Sequence, residues 1–529
     1  MKNETVNNES LTISHFCIPY ARLSIIVILL GVIVRLISLG KIPGGLNQDE
    51  AFAGYEAYCL LQHGADSFGY SFPMYLTAWG SGMNALNSYL MIPFIAIFGL
   101  QTWVIRLPQA LVACFSLWVL WLLLRRSFDD FTAFWGTFFL TICPWHIMLS
   151  RWGLESNLAP GFLLFGLYFF QRGIENSKFF LLSAFCYGMS LYCYATIWPV
   201  VPLILLLQTF YLLWIKSLKI DRWFITSVLL LALLAAPAFL FLLVNKEILP
   251  EIRTPLLSIP KLLYMRDNEI SLNPVALLNN WRNTFHMLIQ QNDGLYWNCT
   301  DQFGLYYKEM LPFAIIGFLY CSKLTLTSIR EKRFHGAAFC MIQLIGASIL
   351  GGIIAVNVNR INIIHIPIII MIGVGLAFII LFLRQHFKYI AILTLTIFLC
   401  AFGCFIRFYT TEYAENIGVI FHEGLDEALE SAQHLAEPDG DIYLLNMPAT
   451  YPKVLFFNRF PASKYRESVQ YTNYPSPFLD VFSFDRYCFY PTDIETGKVY
   501  IMRKEEADAW RVAGNYVQDY GSVSIVICQ

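Results

Sequence analysis

Long apolar runs separated by short polar turns constrain this chain more than any other feature. They cover residues 23–39, 88–100, 107–124, 131–149, 158–170, 179–194, 198–215, 223–244, 311–321, 336–356, 363–383 and 389–406. A helix that crosses a bilayer needs about 20 predominantly apolar residues, within a range of roughly 17 to 25. The chain is 57% hydrophobic and only 14% charged, with a mean hydropathy of +0.54, whereas soluble domains carry about 25% charged residues. The pattern therefore predicts a polytopic α-helical membrane protein. The formal net charge of -1 selects no class of partner. Most of the 13 cysteines fall inside apolar runs, among them Cys114, Cys143, Cys186, Cys193, Cys340, Cys400 and Cys404, where they act as small apolar fillers. No cysteine spacing of metal-site type is present. Run 23–39 is long for a signal sequence and has no small-residue cleavage site, so it reads as a retained span.

The basic turns orient the chain. Run 88–100 is short and interrupted by Pro93. If it crossed the membrane, Arg125, Arg126, Arg172, Lys178, Lys216, Lys219 and Arg222 would all lie outside. If it lies in the interface, those residues fall inside, joined by Arg330, Lys332, Arg333, Arg384 and Lys388. The excess of Lys and Arg in cytoplasmic loops selects the second arrangement at every turn. The reading is eleven spans, a cytoplasmic N-terminus, and a membrane part ending at residue 406. The first outer loop is 40–101 and the long one 245–310. A tail of soluble composition, 407–529, is extracytoplasmic, with mixed helix and strand signals that predict a small α/β domain holding its own core. Every polar segment of any length faces outward, so function is expected there.

The first outer loop opens with GGLNQDEAFAGYEAY, residues 44–58. Asp49 and Glu50 stand where the chain leaves the bilayer, ahead of a short amphipathic helix with Phe52, Tyr55 and Tyr58 on one side. A carboxylate there under aromatic rings suits acid–base chemistry on a lipid-linked substrate. Equally, an acidic residue at this point caps a helix N-terminus. The next outer loop, CPWHIMLSRWGLESNLAP, carries His146, Arg151 and Glu155 between two tryptophans. Arg35 sits near the outer end of the first span, and Arg360, with Asn359 beside it, precedes the run at 363. Arginine binds phosphate oxygens as a bidentate fork, but it also snorkels to the headgroup zone. The long loop adds Arg253, Lys261 and Arg266, and Asn298-Cys299-Thr300 has the form of a glycosylation acceptor. There is no Gly-rich phosphate loop at a strand–helix junction, which argues against a nucleotide substrate; nucleic acid is not an expected partner.

In this order the motifs resemble the C-type membrane glycosyltransferases (GT-C), in the family-39-like branch of protein O-mannosyltransferases and the lipid A aminoarabinose transferase. The resemblance rests on Arg35-Leu36, Pro43 and the Asp49-Glu50 pair, then on the interfacial segment ending IFGL, on RLPQAL followed by Arg125-Arg126, and on PWHIMLSRWGLESN. It covers residues 35–406. It implies a GT-C fold and a polyprenyl-phosphate sugar donor, with Asp49 as the essential carboxylate and Glu155, where the family carries Asp, as the second. Glu50 belongs to the same catalytic group. Arg35, His146, Arg151, Arg360, Asn359 and Tyr55 are then the candidates for binding donor phosphate or substrate. The acceptor is a glycan, lipid or protein hydroxyl. No lectin-like domain stands between the later spans, which points away from a protein acceptor.

The resemblance implies an inverting displacement. Asp49 takes the acceptor proton, and arginine stabilises the leaving phosphate. A divalent metal between the acidic loops occurs in oligosaccharyltransferases; for the family-39-like branch no metal or other cofactor is expected. The alternative is a lipid-linked sugar flippase or transporter. Such proteins place charges near the midplane and show inverted repeats, whereas here charges gather at the outer edge and no repeat is seen.

Overall fold

A computed structural model describes residues 20–529 except 267–268, 439, 448 and 492–493. Its membrane part is a bundle: α1 (Tyr20–Leu36), α2 (Gln48–His63), α3 (Leu86–Phe98), α4 (Thr102–Ser127), α5 (Asp130–Ile142), α6 (Pro144–Leu149), α7 (Ala159–Gly173), α8 (Phe179–Ser190), α9 (Val200–Trp214), α10 (Arg222–Asn245), α11 (Pro274–Gln290), α12 (Leu311–Glu331), α13 (Ala337–Ile353), α14 (His365–Phe382) and α15 (Phe387–Thr410). Among the described residues, five helical stretches are long and apolar enough to cross a membrane: 102–127, 222–245, 308–331, 362–382 and 387–421. The bundle is held by apolar packing, with α5 and α14 at its centre. There Trp135, Phe138 and Phe139 are buried, and glycines permit close approach, as where Gly373 meets the backbone of Gly136.

Three features position the outer loops. Helix α3 has 13 residues and rises about 20 Å at 1.5 Å per residue, short of a hydrocarbon core about 30 Å thick. Ile97 and Phe98 remain exposed at its end. A two-stranded hairpin, β1 (Tyr75–Leu76) and β2 (Met83–Asn84), follows α2. Its Trp79-Gly80-Ser81-Gly82 turn has positive φ at Trp79, Gly80 and Gly82. A side chain at Gly80 would strike the Ser476 carbonyl, and one at Gly82 the Tyr75 ring. The loop 245–310 is less irregular than its sequence suggested. It holds strands β3 (Ile252–Arg253) and β4 (Ser258–Ile259) and the 17-residue α11, started by the Asn273 side chain and Pro274. Asn298 is buried, with its amide on Asp293, and so is not presented as a glycosylation acceptor.

Beyond α15 come α16 (Glu412–Phe421), α17 (Leu425–Leu435), β5 (Ile442–Leu444), α18 (Tyr451–Phe457), α19 (Ala462–Ser468), β6 (Gln470–Tyr471), β7 (Val481–Phe484), β8 (Tyr487–Cys488), β9 (Val499–Arg503), α20 (Lys504–Val512), β10 (Tyr516–Tyr520) and β11 (Val523–Ile527). The strands form one mixed sheet in the order β10-β11-β9-β5-β8-β7-β6, with β5 parallel to β8 and β9. The tail keeps a small apolar core of its own around Tyr500, Met502, Ala507 and Val526, but its larger cluster is shared. Phe52, Tyr55, Leu76 and Trp79 of the first outer loop lie in one apolar cluster with Leu429, Leu444, Val454, Phe456 and Ile501 of the tail. The Tyr55 hydroxyl donates to the Phe460 carbonyl at 2.7 Å. Leu479 N donates to the Trp79 carbonyl at 2.7 Å, beside a bridge between Gly80 and Phe478. Lys453, buried, donates to the Phe421 carbonyl at 3.0 Å.

Candidate active site

The start of α2 separates two adjacent carboxylates. Asn47 is the N-cap, accepting from Asp49 N at 2.8 Å, and Glu50 closes a capping box by accepting from Asn47 N at 3.1 Å. The cap role that Asp49 could have filled is thus taken by its neighbours. Glu50 is fully buried. It pairs with Arg106 through contacts of 2.5 and 3.1 Å and accepts from Gly153 N at 2.8 Å. Arg106 also donates to the carbonyls of Leu39, Pro43 and Gly45. This set ties the end of the first span, the start of α2, α4 and the second outer loop into one polar knot. Both Glu50 oxygens are engaged in this knot, so the geometry gives Glu50 a structural place rather than the catalytic one expected of it.

Asp49 is half-buried, with the Trp79 indole N–H close by, outside strict hydrogen-bond geometry but near enough to oppose the rise in its pKa. Burial, with the Glu50 charge adding to it, lifts that pKa to about 6; Arg266 and Trp79 act the other way. Glu155 opens the short helical turn Glu155–Leu158 and is buried. Its Oε2 accepts from Asn84 N at the end of β2. Burial, then the charge of Asp49, raises Glu155 to about 8 against the hydrogen bonding of Asn84. The loops after the first span and after α5 therefore bring Asp49 and Glu155 into electrostatic contact, with Arg266 acting on both.

Beside them opens a cavity of about 390 Å³, within the range of roughly 300–1,000 Å³ usual for small-molecule sites. Tyr75, Ser81, Asn84, Tyr194, Arg266 and Glu269 supply its polar lining, and Lys246 a further cation. Trp198, Phe241, Leu242, Met265 and Ile354, at the ends of the bundle helices, make the other side apolar. Asn84 and Arg266 join this cavity to the two carboxyls. Among the described residues, no group of three His, Cys, Asp or Glu side chains is placed to hold a metal ion.

The other predicted residues are mostly architectural, which corrects their assignment to phosphate binding. Arg35 is fully buried and donates to the carbonyls of Gly31, Leu140 and Thr141 and to Nδ1 of His146. With every N–H group engaged, neither it nor His146 is offered to a ligand. Arg151 donates to the carbonyls of Val34, Ile37, Ser38 and Ile42, satisfying the free end of α1, where a cation also complements the helix dipole. Tyr55 docks the tail. Arg360 pairs with Glu269 at 3.0 Å, donates to the Ala355 carbonyl and accepts the Thr196 hydroxyl on its own carbonyl at 3.2 Å, so it lies directly behind the cavity-lining Glu269 and Thr196. Asn359 is half-buried on the same turn, outside the cavity lining. Sequence reading missed Ser81 and Asn84. Arg266 stood out only as one basic residue of the long loop; its proximity to an acidic outer site was the available signal.

Residues 85–245 match the family model for dolichyl-phosphate-mannose-protein mannosyltransferase. No curated protein matches the chain. Among solved structures, ArnT from Cupriavidus metallidurans in the apo state superposes with a TM-score of 0.53 at 13% identity, covering 96% of this chain and 98% of that one. ArnT bound to undecaprenyl phosphate gives 0.50 at 13% identity, covering 95% and 97%. The oligosaccharyltransferase of Archaeoglobus fulgidus in the apo form gives 0.45 at 11%, covering 83% and 63%. The chain is thus a helical membrane protein that shares the fold of ArnT, and residues 85–245 carry a match to the mannosyltransferase family model.

Proposed function

We propose that this protein transfers a sugar from a polyprenyl-phosphate donor to an acceptor hydroxyl at the outer face of the membrane. The supporting observation is the pair Asp49, half-buried, and Glu155, buried, which sit on different loops and, without lining the cavity themselves, are joined to it through Asn84 and Arg266. Their environments push the two carboxyls apart in pKa, as acid–base assignments require. Near neutral pH Asp49 is mostly ionised and Glu155 mostly protonated.

Asp49 takes the proton of the acceptor hydroxyl as its oxygen bonds to the anomeric carbon. The bond from that carbon to the phosphate oxygen breaks on the opposite face, so configuration inverts, and polyprenyl phosphate leaves with the electron pair. Phosphate needs no proton to leave. Arg266 and Lys246 on the cavity wall stabilise its growing charge. Neutral Glu155 donates a hydrogen bond to the incoming pair, and Glu50 positions Asp49 by holding the first turn of α2. Leu242, Met265 and Ile354 on the apolar side receive the first isoprene units. The arrangement belongs with eleven spans, a cytoplasmic N-terminus, a GT-C part over 1–406 and a tail 407–529 outside, roofing the site.

The test is transfer from a purified polyprenyl-phosphate sugar. Asp49→Asn should lower it about 10²- to 10⁴-fold while leaving donor binding and thermal stability near wild type. Full activity in Asp49→Asn refutes the base. Lipid translocation without any transfer by the wild type refutes the enzyme and returns the flippase.

A further inference from the structure

Four buried polar groups in this cavity region have no obvious use in the chemistry above. Asn84 is 2% exposed and Ser81 4% exposed. Both line the cavity. The Ser81 hydroxyl and both ends of the Asn84 carboxamide meet no partner in strict hydrogen-bond geometry, although the carboxamide lies close enough to Glu155 to oppose the rise in its pKa. Thr77, on the same turn, also has an unpartnered buried hydroxyl. Buried polar atoms are almost always paired, because leaving one unpaired has a full desolvation penalty. The backbone at Trp79 is also held off its preferred conformation, at φ 62°, while the glycines on either side of Ser81 adopt positive φ without that cost. Strain of this kind persists where the surroundings impose it, and it concentrates at ligand sites. The tail does the imposing, through the Leu479–Trp79 bond and the Gly80–Phe478 bridge.

We propose that the Thr77–Asn84 turn reads the hydroxyl groups of the sugar being transferred. This rests on the transferase reading and adds to it a substrate class: a neutral sugar with two adjacent free hydroxyls. An amide presents one acceptor and two donors in a plane, and vicinal hydroxyls each donate and accept, so one Asn84 carboxamide serves both. Ser81 takes a third contact. Packed against the turn at Gly82, Tyr75 joins Trp198 and Phe241 in an aromatic wall of the cavity, with ring centroids 4.5 Å apart for Tyr75–Phe241 and 6.3 Å for Tyr75–Trp198. It suits the apolar C–H face of a pyranose. The main-chain N–H of Asn84 holds Glu155, so the residue that reads the sugar also registers it against the carboxyl pair. Replacing the Asn84 side chain leaves that main-chain bond in place.

The experiment compares polyprenyl-phosphate donors carrying a neutral hexose, its singly deoxygenated analogues and the corresponding amino sugar, with sugar-free polyprenyl phosphate as a binding control. The wild type should favour the full hexose over one deoxy analogue by about 10- to 100-fold in kcat/KM. Asn84→Ala should remove that preference by losing activity on the hexose only, Ser81→Ala should remove a smaller part of it, and neither should change binding of the sugar-free lipid. Equal losses on every donor, or weaker binding of the sugar-free lipid, would make Asn84 structural and overturn the proposal. So would a wild type that does not distinguish hexose from deoxy analogue, which needs no variant to fold. No transfer by the wild type from any donor would instead remove the transferase reading itself.

Discussion

Two polar regions lie within a few residues of each other and have opposite bonding. Around Glu50, Arg106, Arg35 and Arg151, nearly every donor and acceptor is paired, mostly to main-chain carbonyls of the first span and its neighbours. Around Asp49, Glu155, Ser81 and Asn84, the carboxyls are strained toward protonation and the amide and hydroxyl stand open to a cavity. Charge alone does not separate the two. Saturation does: a filled hydrogen-bond set builds the scaffold, and an unfilled one lines the cavity.

The sharpest way to break this comparison is to exchange the fates of the adjacent carboxylates. Asp49→Asn should remove activity with little effect on folding. Glu50→Ala should do the reverse first, lowering stability by about 3–5 kcal/mol because Arg106 is left buried and unpaired. Thermal melts in detergent check this; a melt like wild type would mean the knot is not structural. A pH profile comes next. Activity should fall below about pH 6, as Asp49 gains a proton and ceases to be a base, and above about pH 8, as Glu155 ionises beside it. Each limb should approach tenfold per pH unit in kcat/KM. A profile flat from pH 5 to 9 would remove the division of roles. The smallest effect belongs to Tyr55→Phe, which loses one hydrogen bond between α2 and the tail. Stability should fall by about 0.5–1.5 kcal/mol, with donor affinity unchanged. A loss of donor affinity would restore Tyr55 to the binding site.

What was legible in the chain follows the same division. Asp49 and Glu155 stand out because acidic residues flanking apolar runs are few, and basic turns put both loops on one side. Helix α3 was legible from its length and Pro93. The arginines misled. Arg35 and Arg151 carry the right chemistry for phosphate, but their partners are carbonyls at positions 31–42 and 140–141, which sequence cannot orient toward them. Ser81 and Asn84 were missed because neither is charged and the turn carrying them has no periodicity. Its geometry depends on residues 476–479, some 400 positions along the chain. The same distance explains why the tail was read as self-contained: its sheet pattern is local, while much of its larger apolar cluster sits in residues 46–105.

The main-chain bond from Leu479 to Trp79 has a consequence for descent. Carbonyls and amides pair whatever their side chains, so the contact tolerates drift in residue identity but not in spacing. An insertion near 476–479 would shift the turn beneath it, whereas substitutions there pass more freely. Lineages of this protein should therefore vary in composition at that seam while keeping its length. A tail grafted from a distant relative should work only when the loop 77–84 travels with it.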